Sequence, residues 1–229
     1  MRGVAQIDQR RSVRSFVRRE GRLTGGQQRA LETLWPRFGI DFDGLLLDLD
    51  RVFCRQAPRV LEIGFGDGEC LLYMAANDPG TDYLGVEVHR PGMGHLLLQA
   101  QALDLSNLRV ISADAVVVLA HGLPDAGLDR VQIFFPDPWP KKRHHKRRLI
   151  QPDFLRLTAR ALKPGGRLHL ATDWEDYAGH MLQVLAAAED FVNTVNGFAP
   201  RPAYRPLTKF ERRGQRLGHG VWELIFQRR

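Results

Sequence analysis

The sequence is short of cysteine and of long hydrophobic runs, and both shortages narrow the kind of protein it encodes. Its 229 residues include two cysteines, Cys54 and Cys70, which are too few for a disulfide framework and lack the spacing of metal ligands. No segment approaches the roughly 20 apolar residues of a membrane-spanning helix, and residues 1–16 lack the apolar core of a signal peptide. We therefore expect no metal, no membrane partner and a reducing, cytoplasmic location.

Acidic residues are scarce in three segments, where Arg and Lys dominate. The net charge is +5 over residues 1–22, +6 over 141–148 and +6 over 201–229, so an overall charge of +7 leaves −10 elsewhere. A cationic surface confined to separate segments favours a phosphate-backbone partner, and Trp139 and Tyr204 lie within or beside these segments. For any single segment, solubilising charge on a loop is the alternative. Together the three segments predict nucleic-acid binding.

The middle of the chain alternates short β-rich runs with amphipathic helical patterns. Strands are expected at residues 59–64, 82–88, 108–114, 129–135, 167–172 and, late in the chain, 220–227. Regular alternation predicts an α/β fold with parallel strands, in the order third, second, first, fourth, fifth, and helices on both faces. Residues 1–25 are expected to form a loosely attached basic arm, and residues 26–229 a single domain.

A glycine loop, LEIGFGDGE (61–69), joins the first of these strands to a helix. Its spacing, G-x-G-x-G, is neither the dinucleotide fingerprint nor a Walker loop. Glu62 precedes the loop and Asp67 lies within it, so carboxylates would repel a pyrophosphate and favour a cationic cofactor without phosphate, such as S-adenosylmethionine. Glycines serving only a tight turn are the alternative. The predicted ligand-facing glycines are Gly64, Gly66 and Gly68.

Two further acids end the second and third strands. Glu87 follows Gly68 by 19 residues, where such folds place an acid that accepts hydrogen bonds from ribose hydroxyls. Asp114 would lie within reach of an adenine edge, or it would cap the following helix. Together with Glu62, these acids predict one cofactor site at the carboxyl edge of the sheet.

A lone carboxylate, Asp137, stands between two prolines in the stretch FFPDPWPKKRHHKRR (134–148). It comes just past the fourth strand, so it is expected to face the reactive end of the cofactor. The flanking prolines fix φ and stiffen the loop around the acid. A strand-terminating turn with an Asx cap is the alternative. We predict that Asp137 is the catalytic residue and acts by position and charge.

Five motifs, in chain order, resemble the bacterial tRNA (guanine-N(7)-)-methyltransferase family: RSFVRREGRLTGGQQ, LEIGFGDGE, FFPDPWPKKRHHKRR, LATDWEDYA and TKFERRG. The resemblance spans residues 14–226, and its most specific part is Asp-Pro-Trp-Pro followed by the basic run. It implies a Rossmann-like class I methyltransferase with a mostly parallel seven-stranded sheet and a late antiparallel strand. It also implies methyl transfer from S-adenosylmethionine to ring nitrogen 7 of a guanine in the tRNA variable loop, conventionally position 46.

The resemblance also implies which residues form the site. The cofactor contacts are Glu62, Glu87, Asp114 and Asp137. The substrate contacts are Lys141, Asp173, Thr208, Lys209, Phe210 and Glu211, the last four within a C-terminal substrate-binding segment, 200–218. The RNA contacts are Arg143, His144, His145, Lys146, Arg147 and Arg148. Without the resemblance, Asp173 reads equally as a helix cap and Glu211 as a surface acid.

Three other functions remain open from the sequence. An exocyclic-amine nucleic-acid methyltransferase carries an acid or amide before Pro-Pro-aromatic at the same place, whereas this chain has Asp-Pro-Trp-Pro. An NAD-dependent oxidoreductase is disfavoured by the loop spacing and its acids, and a non-catalytic RNA-binding protein by the intact set of strand-end acids. A monomer is expected, with a homodimer as the alternative.

Overall fold

The computed structural model describes residues 21–216, 218 and 220–229, without the side chains at positions 209, 210, 213 and 215. The basic arm predicted over residues 1–25 therefore lies almost entirely outside the described residues. The first described helix begins at Gly25, after a capping box in which Thr24 and Gln27 exchange side-chain and backbone hydrogen bonds. No helix in this part of the chain is both long and apolar enough to cross a bilayer.

Eight strands in the described residues form one sheet. They are β1 (Gly39–Ile40), β2 (Arg59–Ile63), β3 (Asp82–Val86), β4 (Leu108–Ile111), β5 (Leu128–Phe134), β6 (Leu162–Thr172), β7 (Phe191–Asn193) and β8 (Trp222–Arg228). Their order is β1-β4-β3-β2-β5-β6-β8-β7, parallel from β1 to β6 and antiparallel at β8 and β7. The α/β fold and the predicted order of the five central strands are confirmed. The chain order reverses between β2 and β5, which opens a crevice at their carboxyl ends.

Helices alternate with these strands along the chain. They are α1 (Gly25–Thr33), α2 (Trp35–Phe38), α3 (Leu49–Phe53), α4 (Glu69–Asn77), α5 (Arg90–Ala102), α6 (Ala115–Val117), α7 (Pro152–Ala161), α8 (Glu175–Ala186) and α9 (Lys209–Arg216). A π-helical turn (Val118–Gly122) extends α6, and a 3₁₀ helix (Lys142–Arg147) follows β5.

Two hydrophobic cores lie on opposite faces of the sheet. On one face, α3, α7 and α8 pack against alternate strand residues such as Leu61, Val131 and Leu170. On the other face, α1, α2, α4 and α5 pack against Val60 and Tyr83, among others. Because both faces are covered, the central strands are apolar on both sides, which is the composition of a parallel sheet.

The sheet has eight strands, whereas seven were predicted, and the short strands β1 and β7 lie outside the six segments in which strands were predicted. Strand β1 is two residues long and pairs with β4 at the edge, and two residues are too few to show an alternating pattern. A second difference lies at Gly165, where the sequence predicts a turn before a strand at residue 167. Strand β6 instead begins at Leu162 and absorbs the bend with a φ of +79° at Gly165 and a shift of register against β5.

Candidate functional site

A cavity of 420 Å³ opens at the carboxyl ends of β2, β3, β4 and β5, where the chain order reverses. This volume is in the range of sites for ligands of nucleoside size. Its floor is apolar, formed by residues such as Ile63, Val86 and Ile133. Its polar groups come from separate strand ends, and they include Gly64, Gly66, Glu87, Asp114 and Asp137. The structure thus brings together most of the predicted cofactor residues.

The three glycines of the loop have two different roles. Gly64 and Gly66 have φ of +73° and +56°, and a Cβ on either would stand in open space on the cavity side. Both positions therefore favour glycine and leave room for a ligand. A Cβ on Gly68 would lie 2.4 Å from the Leu96 side chain, so this glycine allows α4 to pack on α5. Gly68 lines neither this cavity nor the one beside it, and its predicted contact with the cofactor stays a prediction.

Glu87 is held rigidly at the end of β3. One carboxylate oxygen accepts the N–H groups of Val88 and His89 at 2.6 and 2.9 Å, and the other accepts the N–H of Gly66 at 2.9 Å. The Glu87 carboxylate therefore fixes the backbone of the glycine loop at Gly66 and also lines the cavity. The oxygen that accepts only from Gly66 has a second lone pair, so a ligand hydroxyl could still donate to it.

Asp114 lines the cavity and also caps α6, because its carboxylate accepts the N–H of Val116 at 2.9 Å. Both roles proposed for it from the sequence are compatible in the structure. One oxygen is used by the cap, and the other is available at the cavity wall.

Glu62 lies on the other side of the glycine loop, in an adjoining cavity of 650 Å³ that shares Gly64 and Gly66 with the first. Its carboxylate is 3% exposed and accepts a hydrogen bond from Gln132 Nε2 at 2.7 Å. Burial raises the pKa of Glu62 to about 7, against the opposing effect of the Gln132 hydrogen bond. A cationic group beside Glu62 would favour its ionised form, which fits a cofactor that carries positive charge.

Asp137 stands at the lip of the first cavity, exposed, on a strained loop. Phe135 and Trp139 on either side of it have φ of 55° and 45°, a region that costs a non-glycine residue on the order of 1–3 kcal/mol. Such strain persists only where surrounding contacts hold it. On the strand side, the Phe135 N–H donates to the Ala171 carbonyl at 2.8 Å and extends the β5–β6 pairing.

The basic run is a 3₁₀ helix whose cations differ in exposure. Lys141, Lys142, Arg143 and Lys146 are exposed, whereas His144, His145 and Arg147 are half-buried. The Arg147 guanidinium lies 4.8 Å from the Trp139 ring centroid, and His144 meets the same ring edge-on. Desolvation and the neighbouring cations lower the pKa of His144, so its ring is neutral at pH 7.

Arg148, at the end of the run, is not available to RNA in this structure. Its side chain is 1% exposed, forms an ion pair with Asp176 and donates from Nε to the Pro138 carbonyl at 3.0 Å. The predicted RNA contact of Arg148 stays a prediction, although the first residues of the run face solvent and its last residue faces the protein.

The predicted substrate residues approach the same edge from two directions. Asp173 follows β6, the parallel neighbour of β5, so it leaves the sheet at the same edge as Asp137. No side chain caps α8, so Asp173 is not used as its cap. Thr208 caps α9 by accepting the Glu211 N–H at 3.1 Å, and it lines the second cavity. Lys209 and Phe210 begin α9, and their side chains lie outside the described part of the chain.

Glu211 is turned inward rather than exposed. Both of its carboxylate oxygens accept hydrogen bonds from Arg205, at 2.7 and 2.9 Å, and it is 3% exposed. Arg205 is fully buried and also donates from Nε to Glu223 at 2.7 Å. A direct contact between Glu211 and guanine would require the carboxylate to leave Arg205.

Sequence reasoning missed a buried polar row across four strands, formed by Glu62, Gln132, His169 and Glu223. Glu62, Gln132 and His169 pair directly across β2, β5 and β6. Glu223 on β8 pairs with Ala171, so it is offset from His169 by two residues on the same face of the sheet. His169 Nε2 lies 2.7 Å from the Glu223 carboxylate, and its Nδ1 lies 2.9 Å from the Tyr204 hydroxyl. Burial lowers the pKa of His169, so a neutral ring donates to Glu223 and accepts from Tyr204.

The sequence does contain a pattern that indicates this buried polar row. Gln132 and His169 are single polar residues inside apolar strands, VQIFF and LHLAT, and such interruptions mark buried polar networks. The row places Arg205 5.5 and 5.7 Å from the Phe134 and Phe135 ring centroids. Through these contacts Arg205 joins the segment before α9 to β5, the strand that leads to Asp137.

Comparisons with known proteins agree with this geometry. A family described as "Putative methyltransferase" matches residues 56–224. The tRNA (guanine-N(7)-)-methyltransferase of Alkalilimnicola ehrlichii is 62% identical over 96% of this chain and 94% of its own length. The enzyme of the same name from Halorhodospira halophila is 62% identical over 97% and 98%. The fold is similar to that of the 16S rRNA methyltransferase KamB, with a TM-score of 0.59 at 18% identity, covering 84% of this chain and 98% of that one.

The match extends over nearly the whole chain, and it includes the glycine loop, the strand-end acids and the Asp137 loop. The family predicted from the motifs is confirmed, and the chain belongs to the tRNA (guanine-N(7)-)-methyltransferase family.

Proposed function

We propose that this enzyme transfers the methyl group of S-adenosylmethionine to ring nitrogen 7 of a guanine in the variable loop of tRNA, conventionally position 46. The enzyme class and the cofactor are those of the family to which the chain belongs. The observation that carries the proposal is the cavity that Glu87, Asp114 and Asp137 line from three different strand ends. The variable loop is the finer part of the proposal and rests on the resemblance alone.

The cavity fits the cofactor in size and in charge. We propose that Glu87 accepts hydrogen bonds from the ribose and that Asp114 contacts the adenine edge, with Gly64 and Gly66 leaving room for the backbone to approach. Glu62, across the glycine loop, supplies a carboxylate for a cationic group. The cofactor contributes an electrophilic methyl group when it is bound. The crowding of carboxylates explains why a cationic ligand would be preferred to a pyrophosphate.

The chemistry places modest demands on the protein. Guanine nitrogen 7 has an in-plane lone pair and no proton, so it can attack without a general base. Asp137 therefore acts in one or both of two ways. Its carboxylate accepts hydrogen bonds from the N–H groups of guanine and so orients the base, or it stabilises the positive charge that develops on the purine. Asp173 leaves the sheet beside it and is a second carboxylate for the guanine edge.

The surrounding surface would bind the rest of the tRNA. We propose that Lys141, Arg143 and Lys146 contact phosphates, because they are exposed directly after the Asp137 loop. His144, His145 and Arg147 are half-buried and would contact RNA from one side, with Arg147 stacked on Trp139. A buried guanine must be exposed before methylation, and base flipping is one route. We propose that Phe210, Thr208 and Lys209 complete the substrate site. A cytoplasmic monomer is the expected form.

The direct test is methyl transfer from labelled S-adenosylmethionine to unmodified tRNA, followed by nucleoside analysis. The expected product is 7-methylguanosine, and a tRNA with adenosine at position 46 should accept no label. Asp137→Ala should lower kcat by about 10²–10³-fold while leaving the fold intact. Label on an exocyclic amine, or on the substituted tRNA, would contradict the assigned atom or position. An Asp137→Ala variant with wild-type kcat would remove Asp137 from the mechanism.

A further inference from the structure

The loop that carries Asp137 is poor in backbone donors. Pro136, Pro138 and Pro140 have no N–H, so the loop exposes carbonyl acceptors that its own backbone cannot satisfy. A loop of this kind is fixed in place only by donors that come from elsewhere in the protein. The Phe135 N–H anchors its strand side by donating to the Ala171 carbonyl.

Arg148 supplies the donor on the far side. Its Nε donates at 3.0 Å to the carbonyl of Pro138, the residue directly after Asp137. The positive φ values occur at Phe135, whose N–H is the first anchor, and at Trp139, which directly follows the second. Release of either anchor would let the loop relax toward ordinary backbone angles and move the carboxylate.

The Arg148 guanidinium is itself held from three sides. It pairs with Asp176 at the start of α8, lies 3.1 Å from His145 Nε2 and stacks 4.9 Å from the Tyr177 ring centroid. The Tyr177 hydroxyl in turn accepts the Ile150 N–H at 3.2 Å. These contacts tie the loop to α8, a rigid element on the far face of the sheet, and leave the side chain 1% exposed.

We propose that Arg148 is a positioning residue, which fixes the Asp137 carboxylate through Pro138 and Asp176, and that it makes no contact with RNA. The inference rests on the proposed role of Asp137. It divides the basic run by function: the exposed residues at its start bind phosphate, and the buried residue at its end aligns the reaction centre. Removal of Arg148 should therefore slow the chemical step without weakening tRNA binding.

The test compares Arg148→Gln with Arg143→Gln, because both remove one positive charge from the same run. Arg148→Gln should lower kcat by about 10–100-fold, the scale of a carboxylate misplaced by about 1 Å. Its tRNA affinity and the salt dependence of that affinity should match wild type. Arg143→Gln should weaken tRNA binding and flatten the slope of log affinity against log salt by about 0.7–0.9.

Either of two results for Arg148→Gln would overturn the proposal: an unchanged kcat, or a salt slope flattened as in Arg143→Gln. Should Arg148→Gln fail to fold, Asp176→Asn decides, because that side chain is 63% exposed and its amide oxygen can still accept a hydrogen bond from the buried Arg148. A several-fold lower kcat with unchanged tRNA affinity would support the proposal, and a wild-type kcat would overturn it.

Asp137→Ala is measured alongside. If it is as active as wild type, the proposed role of Asp137 fails; if it is inactive while Arg148→Gln is normal, only the role of Arg148 fails.

Discussion

Glu62 and Asp137 are carboxylates of one crevice with opposite surroundings. Asp137 is exposed at the lip, where it is available to the substrate. Glu62 is buried beside the glycine loop, where it accepts a hydrogen bond from the neutral amide of Gln132. Burial raises the pKa of Glu62 to about 7, against the opposing effects of the Gln132 hydrogen bond and the Arg130 charge. The charge of Glu62 therefore depends on whether a cation is bound beside it.

The first consequence is a pH-dependent cofactor affinity. Below about pH 7 Glu62 is protonated in the free enzyme, so a cationic cofactor must displace that proton to bind. Affinity for S-adenosylmethionine should fall as pH is lowered from about 7 to about 6, by at most roughly tenfold per pH unit. Calorimetric titration across this range should show the dependence in wild type and a flat profile in Glu62→Gln. A wild-type profile as flat as that of the variant would exclude Glu62 from the cofactor site.

The stability of the free enzyme provides the control, because its pH dependence has the opposite sign: the contribution of Glu62 to stability is lost as pH rises. Between the ordinary pKa of 4.5 and about 7, the folded protein keeps a proton that the unfolded chain has released. The contribution of Glu62 to stability is therefore full below pH 4.5 and is lost as pH rises to about 7, on the order of 3 kcal/mol in total. Urea unfolding of wild type and Glu62→Gln over this range isolates the effect.

At the scale of elements, the basic run shows that a charged sequence need not be a uniform surface. Its 3₁₀ helix turns Arg143 and Lys146 toward solvent, while Arg147 stacks on Trp139. The double variant Arg143→Ala/Lys146→Ala should weaken tRNA binding and flatten the salt slope by about 1.4–1.8. Arg156→Ala is a matched control, since Arg156 is 67% exposed on α7, and it should leave the slope unchanged. Equal slopes for the double variant and wild type would place the RNA elsewhere.

The elements that the sequence predicts well are those with a long periodic pattern. The strands β2 to β6 are apolar runs, and the helices α4, α5, α7 and α8 between them repeat apolar residues at helical spacing over enough positions to be recognised. The 3₁₀ helix (Lys142–Arg147) and α9 (Lys209–Arg216) consist almost wholly of polar residues, so no apolar face marks them. Their conformations depend on contacts with Trp139 and Arg205, single residues that lie just before each helix in the chain and form no repeating pattern with it.

The residues of the site likewise divide into those whose place the sequence predicts and those whose place it does not. The strand-end position of Asp137 and Glu87 follows from strand order, which the sequence predicts. The burial of Arg148 and Glu211 does not follow from it, because a charged residue in a polar segment is exposed by default and only tertiary packing reverses this. The different roles of Gly64 and Gly68 depend likewise on α5, which packs against one of them only.

For the whole molecule, the buried polar row connects the cofactor side of the sheet to the C-terminal segment. Gln132 contacts Glu62 at one end, and Arg205 binds Glu223 and Glu211 at the other. The segment before α9 is thus attached to the sheet by charges in the interior. Buried ion pairs add little net stability when complete, but the loss of one partner leaves the others uncompensated.

Arg205 is the member whose loss should matter most, because it is fully buried between the carboxylates of Glu211 and Glu223. Arg205→Met should lower the free energy of unfolding by about 3–5 kcal/mol, since two carboxylates then remain buried without a cation. The triple variant Arg205→Met/Glu211→Gln/Glu223→Gln should recover most of this loss, because it removes the charges together. Urea unfolding monitored by circular dichroism measures both variants. If Arg205→Met were as stable as wild type, the C-terminal segment would be held by its apolar contacts alone, and the polar row would have no role in attaching it.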